Sequence, residues 1–255
     1  MVRSLLRQGA DPNLANAEGL PPLHLIARRD VHGDMIRMFL STNEERQQTV
    51  GIDARDNSGR TALEWAVTSC LPLAAKSLLK HGANVSGFVF PTPSDSDYLG
   101  RGSSLTKLTA ATGLLAIVEL LEARGYEMGR DDALKLMGFF DKYGLYESTD
   151  FSTSKDVDDL VDSLFEQMAK KRTYIDYLKF VSSYKMRKIP YESMEACSVR
   201  LCEKILTKFC RDWALDPFME SLHYRLPIVC CEMIMEKLKN KDLFNICLAA
   251  AGRRS

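Results

Sequence analysis

The residues that could do chemistry in this chain are its cysteines, its histidines and a short run of acids. The seven cysteines include no Cys-x-x-Cys pair and only four histidines are present, so the ligand spacing of a zinc site is absent. Asp156, Asp158 and Asp159 lie close together at the start of a predicted helix, where carboxylates favour the positive end of the helix dipole. The glycine spacing of a calcium-binding loop is missing. The sequence therefore predicts neither a metal site nor a bound cofactor.

The known catalytic motifs are missing as well. We find no nucleophile elbow, no phosphate-binding loop, no His-Glu-x-x-His and no Gly-x-Gly-x-x-Gly, so the sequence predicts a protein that is not an enzyme. Lys plus Arg and Asp plus Glu each total 34, and this balance argues against nucleic acid or an anionic membrane as the main partner.

Two further patterns predict where the protein resides. No stretch of about 18 apolar residues occurs, and the odd number of cysteines at apolar positions favours a reducing compartment. We therefore expect a soluble protein of the cytoplasm, with the nucleus as an alternative, whose partners are other proteins.

The elements that would carry binding residues begin with an internal repeat. SLLRQGADPN (Ser4–Asn13) and SLLKHGANVS (Ser77–Ser86) each read as the end of an amphipathic helix that a glycine closes. ELLEARGYEM (Glu119–Met128) is a weaker third copy. The first two copies are followed by a turn and a new helix, in NAEGLPPLHLIA (Asn16–Ala27) and RDNSGRTALEWA (Arg55–Ala66). The sequence therefore predicts helical hairpins in series.

The helix starts within these hairpins carry recognisable signals. Gly19 and Gly59 suit tight turns. Pro22 fits a first helical turn, and Thr61 can cap the helix that follows it. SLTKLTAATG (Ser104–Gly113) is similar to a third opening, so we expect a third helical hairpin between it and the third closing segment.

This pattern resembles the ankyrin repeat, whose helix opens with Thr-Pro-Leu-His and whose second helix ends in Gly-Ala-Asp. The resemblance covers about residues 1–129 and implies a helical solenoid. Pro21 replaces the threonine of the first opening, while Ala62 and Glu64 replace proline and histidine in the second. We expect His24 to bond neighbouring backbone and Trp65 to pack between repeats.

The resemblance also implies a binding surface and an open end. Met1 falls in what should be the second helix of a repeat, so we expect exposed apolar surface there unless something covers it. Repeat solenoids bind through their turn tips and concave face. The residues predicted to contact a target protein are Asn16, Ala17, Glu18, Arg55, Asp56, Asn57 and Arg60.

The second half shows helical periodicity without repeats, with predicted boundaries at Pro190 and Pro217. Residues 131–166 hold ten acids against three bases, whereas residues 170–211 hold eleven bases against four acids. This asymmetry fits two helical faces that attract each other within one domain, or a basic patch for a partner.

The tail LPIVCCEMIMEKLKNKDLFNIC (Leu226–Cys247) predicts a short helical hairpin. We expect Pro227 in the first turn of its first helix, an apolar stripe at every fourth residue through Cys230, and an end within Lys239–Lys241. Asp242 is predicted to cap a second helix that begins at Leu243.

This spacing of Leu-Pro, Ile234, Leu238 and Asp-Leu resembles the F-box pattern. Two residues depart from that pattern. Met235 replaces the second apolar residue of its Ile-Leu pair, and Val229 occupies a position where an acidic residue is common. An F-box-like end behind ankyrin repeats is similar to the PRANC domain, and it implies docking on the linker subunit of an SCF-type cullin-RING ubiquitin ligase. The residues implied for linker binding are Leu226, Pro227, Ile228, Ile234, Met235, Leu238, Asp242 and Leu243.

Together these patterns predict an all-α protein. Degenerate ankyrin repeats would occupy residues 1–129 and a helical PRANC-like domain residues 130–255, with the hairpin at 224–250. The predicted function is a substrate-recruiting ligase adaptor within a cullin complex, for a target the sequence does not name. The alternative is a binding or sequestering module whose C-terminal helices only cap the solenoid. The exposure of the hairpin's apolar residues distinguishes the two functions, because burial of all of them within the chain would favour the capping role.

Overall fold

The computed structural model describes residues 1–92, 104–146, 155–183, 186 and 189–252. Within these ranges the regular structure is helical and contains no β-strand, which confirms the all-α prediction. None of the described helices is both long and apolar enough to cross a bilayer. The helices are α1 (Val2–Arg7), α2 (Pro22–Ala27), α3 (Asp34–Glu45), α4 (Ala62–Thr68), α5 (Pro72–Lys80), α6 (Ser104–Glu122), α7 (Arg130–Lys142), α8 (Lys155–Ala169), α9 (Tyr174–Val181), α10 (Tyr191–Ser221), α11 (Ile228–Met235) and α12 (Asn240–Gly252).

The chain divides into two compact units. The first consists of Met1–Tyr98 and Gly113–Glu127, and the second of Leu99–Thr112 and Met128–Ser255. The predicted domain boundary after residue 129 stays a prediction.

Helical hairpins in series build the first unit. Helix α1 packs on α3, α2 packs on α3 and α4, and α5 packs on α3 and α4. The helix starts follow the predicted signals, since Pro22 occupies the first turn of α2 and Thr61 caps α4. Glu64 completes a capping box by accepting the Thr61 N–H at 2.6 Å. The local sequence therefore determines where both opening helices begin.

The predicted third hairpin is wrong. Residues Ser104–Glu122 form one continuous helix, α6, through Gly113. Most described side chains from Leu108 to Leu121 are buried, and a helix that is apolar on all sides belongs in a core rather than at a turn. An added Cβ at Gly113 would lie 3.3 Å from the Cys70 Sγ, so this glycine allows close packing instead of a turn.

The second unit is organised around α10, which packs on α7, α8, α11 and α12. Its start after Pro190 agrees with the predicted boundary, but Pro217 lies inside the helix. Arg200 and Lys204 of α10 pair with Asp158 and Asp162 of α8, at 3.4 and 3.0 Å. The acidic and basic segments thus attract each other within the unit, as the first of the two interpretations predicted.

The C-terminal hairpin is present, with different helix limits. Pro227 precedes α11 as its N-cap rather than opening it, and α11 ends at Met235 instead of within Lys239–Lys241. Helix α12 begins at Asn240, where the Asn240 side chain donates to the Glu203 carbonyl at 3.0 Å. This contact with α10 starts α12 three residues before the predicted position, so Asp242 lies in its first turn rather than at its cap.

Candidate protein-interaction surfaces

The eight residues implied for linker binding divide between the core and the surface. Met235 and Leu243 are buried, Leu238 is half-buried, and Leu226, Pro227, Ile228 and Ile234 are exposed. Asp242 is exposed and accepts the Lys239 N–H at 3.0 Å, so it stabilises the start of α12. All eight residues belong to the hairpin or to the segment just before it, but only the exposed ones are available to a partner.

Helix α11 and the residues just before it present several exposed apolar side chains. We call this group the α11 face and define it as Leu226, Ile228, Val229, Met233 and Ile234. The exposed fraction is 49% for Ile228, 60% for Val229, 63% for Met233 and 41% for Ile234. The sequence prediction omitted Val229 and Met233. The sequence does indicate them, because IVCCEMIM is apolar at every position except Glu232. A helix that packs on one side needs fewer apolar residues than this, so some of them must face outward.

The opposite side of α11 is held by α10. Cys231 and Met235 are buried against the unit, and the Arg211 guanidinium donates to the Glu236 carbonyl at 3.2 Å, just beyond the helix. The predicted stripe through Cys230 faces outward, since Cys230 is exposed and its neighbour Cys231 is buried. The α11 face is therefore presented by a helix that is itself fixed in place.

The predicted target-binding residues lie on successive turns of the first unit. Asn16 and Asp56 have the same structural role in the two turns. The Asn16 Oδ1 accepts the N–H groups of Glu18 and Leu20 at 3.0 and 2.9 Å, and the Asp56 Oδ1 accepts those of Ser58 and Arg60 at 2.8 and 3.0 Å. Asp56 is also buried and its carboxylate is used to build the turn, so its contact with a target stays a prediction that these bonds do not favour.

Neighbouring turns are tied to one another by two more residues of the predicted set. The Asn57 amide donates to the Glu18 carbonyl at 3.2 Å. Arg55 donates to the Gly59 carbonyl at 2.6 Å and to the Gly87 carbonyl at 3.4 Å. Ala17 and the Glu18 side chain are exposed at the tips. Part of the predicted surface therefore stabilises the row of turns, and part of it faces outward.

The guanidinium groups of two arginines lie over the Trp65 ring, and one of these arginines was missed by the sequence prediction. The Arg28 Cζ lies 4.8 Å and the Arg60 Cζ 5.1 Å from the centre of the Trp65 ring. Trp65 is half-buried, and its Nε1–H donates to the Asp56 Oδ2 at 2.7 Å. Arg28 could have been found from its place one turn after Leu25, which occupies in α2 the position that Trp65 occupies in α4.

The charge of Asp56 is stabilised by this arrangement. Burial alone would raise its pKa, but the hydrogen bonds from Trp65 and from the Arg60 and Ser58 backbone, together with the nearby His24, lower the pKa below its ordinary value. His24 donates from Nε2 to the Arg60 carbonyl at 3.0 Å, which is the predicted structural hydrogen bond to backbone.

Three of the cysteines are poor nucleophiles. Burial raises the pKa of Cys70, Cys202 and Cys210 to about 12 each, so these thiols stay protonated at neutral pH. Asp158 pairs with Arg200, and the described part of the chain contains no cluster of residues that could hold a metal ion. The side chain of Asp156 lies outside the described residues.

Comparison with known families identifies the repeats of the first unit. Residues 1–87 match the family model of ankyrin repeats in three copies, a shorter range than the predicted 1–129. No solved structure matches the chain. Residues 1–87 are therefore ankyrin repeats, and ankyrin repeats form a protein–protein interaction module.

Proposed function

We propose that this chain is a substrate-recruiting adaptor of an SCF-type cullin-RING ubiquitin ligase. In this proposal the ankyrin repeats bind the target protein and the C-terminal hairpin binds the linker subunit. The exposed α11 face is the observation that carries the proposal, because four neighbouring aliphatic or thioether side chains face solvent on a helix fixed from behind. A group of exposed apolar side chains on one short helix is typical of protein interaction sites.

The geometry of the face suits a helical partner. Val229 and Met233 are four residues apart, as is the pair Cys230 and Ile234, so their side chains form rows along one side of α11. An apolar row of this kind packs against the groove of a partner helix or helix pair. Leu226 and Pro227 precede the first turn and fix where the rows begin.

A second candidate is the binding or sequestering module whose C-terminal helices only cap the solenoid. The burial of Met235 and Leu243 favours it, because these two residues of the implied docking set contribute to the core of the second unit without any partner. Under this alternative, only target binding by the ankyrin repeats would matter for function.

The two candidate functions predict different linker binding by a variant of the α11 face. We would replace Ile228 and Ile234 by serine and measure recovery of the purified SCF linker subunit in a pull-down. Each side chain would contribute roughly 2 kcal/mol if fully buried by the partner, so the double variant should bind about a thousandfold more weakly. Circular dichroism should show an unchanged fold, because both positions are exposed.

The matched control carries the same kind of change in the first unit. Leu14 and Val31 are exposed apolar residues of the first unit, and their replacement by serine should leave linker recovery unchanged. Equal recovery from the unmodified chain, the control and the α11-face variant would overturn the ligase proposal and favour the sequestering module.

A further inference from the structure

We propose that the ankyrin repeats bind an acidic segment of their target, and that Arg28 contacts its carboxylate while Trp65 holds Arg28 in position. This inference rests on the target-binding half of the proposed function. The site comprises Arg28, Arg60 and Trp65, and we call it the Arg–Trp site.

The Arg28 side chain is positioned by contacts that begin in a turn. Asp56 is fixed by the N–H groups of Ser58 and Arg60, and its carboxylate orients Trp65 through the 2.7 Å hydrogen bond. The Trp65 ring then supports the Arg28 guanidinium at 4.8 Å. Because this cation–π contact uses the charge of the guanidinium rather than its N–H groups, those donors are available to a planar carboxylate.

The acidic residues nearby are occupied by protein groups. Asp30 is buried and accepts the Ile36 N–H at 2.8 Å. Glu64 is buried, accepts the Thr61 N–H at 2.6 Å and lies 3.8 Å from Arg55. Among the described residues no carboxylate forms an ion pair with Arg28. Among the described residues Asp56 is bonded to Trp65 rather than paired with Arg28, so the repeats present positive charge at Arg28 that no carboxylate pairs with directly.

The surroundings of Arg28 favour a peptide over nucleic acid. Leu25 lies one helical turn before Arg28 on α2 and is exposed, so apolar contact is available beside the positive charge. The net charge of the chain is zero, whereas nucleic acid binding generally needs an extended basic surface. A segment that alternates acidic and aliphatic residues fits both features.

The test is isothermal titration of the full chain with a defined peptide. The probe is acetyl-LEELEE-amide, and its uncharged counterpart is acetyl-LQQLQQ-amide. We expect the acidic peptide to bind, the glutamine peptide to bind at least tenfold more weakly, and the affinity for the acidic peptide to fall as salt is raised. An oligothymidylate of equal charge should bind more weakly than the acidic peptide.

Variants of single arginines distinguish a specific contact by Arg28 from a general effect of positive charge on peptide affinity. Arg28→Gln should weaken binding of the acidic peptide by about tenfold or more, since a charge-assisted hydrogen bond is lost. Arg29→Gln is the matched control, because it removes the same charge from the next, exposed residue and should cost less than about threefold. Arg28→Lys keeps the charge without the planar fork, so it should also lose most of the affinity.

Three results would overturn the inference. They are absence of peptide binding, equal effects of Arg28→Gln and Arg29→Gln, and tighter binding of oligothymidylate than of the acidic peptide. The α11-face variant should bind the peptide as the unmodified chain does. If the unmodified chain binds the linker subunit but not the acidic peptide, this inference is wrong and the ligase proposal is unaffected.

Discussion

A single residue, Pro21, leaves a buried polar atom without a partner in the first full repeat. His24 is buried, and its Nδ1 has no hydrogen-bond partner among the described residues. At the matching place in the next repeat, the Thr61 hydroxyl accepts the Glu64 N–H and lies 3.2 Å from the Glu64 carboxylate. Pro21 and Thr61 both have extended backbone, so a threonine at position 21 needs no change of main-chain conformation.

We expect Pro21→Thr to be more stable than Pro21→Ala by about 1 kcal/mol, because only the threonine restores the N-cap hydroxyl. Alanine is the correct comparison, since both replacements remove the proline ring and the 0.4–1 kcal/mol that its rigidity can contribute. Urea unfolding followed by circular dichroism measures the difference. Equal stability of the two variants would show that a hydroxyl at position 21 reaches neither α2 nor His24.

The cysteines should differ sharply in reactivity. Cys230 is exposed on α11, whereas Cys197, Cys202, Cys210, Cys231 and Cys247 are buried. Burial also raises the pKa of Cys202 and Cys210 to about 12 and that of Cys247 to about 11. At pH 7.5 we therefore expect iodoacetamide to modify Cys230 first, as peptide mass spectrometry would show. Modification of a buried thiol at the same rate would contradict this assignment.

The roles of single residues were only partly predictable from the sequence. Thr61, Pro22 and His24 act through local contacts, and their roles were predicted correctly. Asn16 and Asp56 were expected to bind a target, yet both accept hydrogen bonds from backbone within their own turns. Asn and Asp are common in turns for this reason, but the sequence does not show whether an exposed turn residue also contacts a partner.

At the scale of elements, the sequence predicted helices better than it predicted their limits. The apolar pattern of α6 was predicted to form a third hairpin because Ser104–Gly113 resembles a repeat opening, although the segment is one continuous helix whose side chains are mostly buried. Helix α12 starts early because Asn240 bonds Glu203, 37 residues away in sequence. Both errors depend on tertiary contacts, which no local window of sequence contains.

The observed start of α12 gives Asp242 a different role, with a measurable effect. Its Oδ2 accepts the Lys239 N–H at 3.0 Å, and its charge lies in the first turn of the helix. We expect Asp242→Ala to cost about 1 kcal/mol of unfolding free energy, measured by urea denaturation. Glu232→Ala removes an exposed acid from α11 without a capping contact and should change stability by less than about 0.5 kcal/mol. A larger loss from Glu232→Ala would contradict the assigned role.

At the scale of the whole molecule, each compact unit contains one tryptophan. Trp65 belongs to the first unit and Trp213 to the second. Trp213→Phe therefore leaves a fluorescent reporter for the first unit, and Trp65→Phe leaves one for the second. Trp65 also belongs to the Arg–Trp site, so Trp213→Phe keeps that site intact while the stability of the first unit is measured.

These reporters test what the C-terminal hairpin does for the fold. Helix α12 buries Leu243, Phe244 and Cys247, and α12 packs on α10 and α7. Removing the chain after Tyr224 would expose the apolar side of α10 that these residues cover. Each large buried side chain contributes roughly 1.5–3 kcal/mol, so the loss is comparable with the whole stability of an ordinary domain.

We therefore expect a chain that ends at Tyr224 to lose the cooperative urea transition of Trp213 and to retain that of Trp65, because ankyrin repeats depend mainly on their neighbours in the array. Single-tryptophan versions of the full and shortened chains give the comparison. If Trp213 unfolds at the same urea concentration in both, the hairpin contributes nothing to the core and serves only as surface. If the Trp65 transition disappears too, the repeats need the second unit in order to fold. Under the expected result, loss of linker binding by the shortened chain would reflect unfolding, and the Ile228 and Ile234 serine variant remains the decisive test of the α11 face.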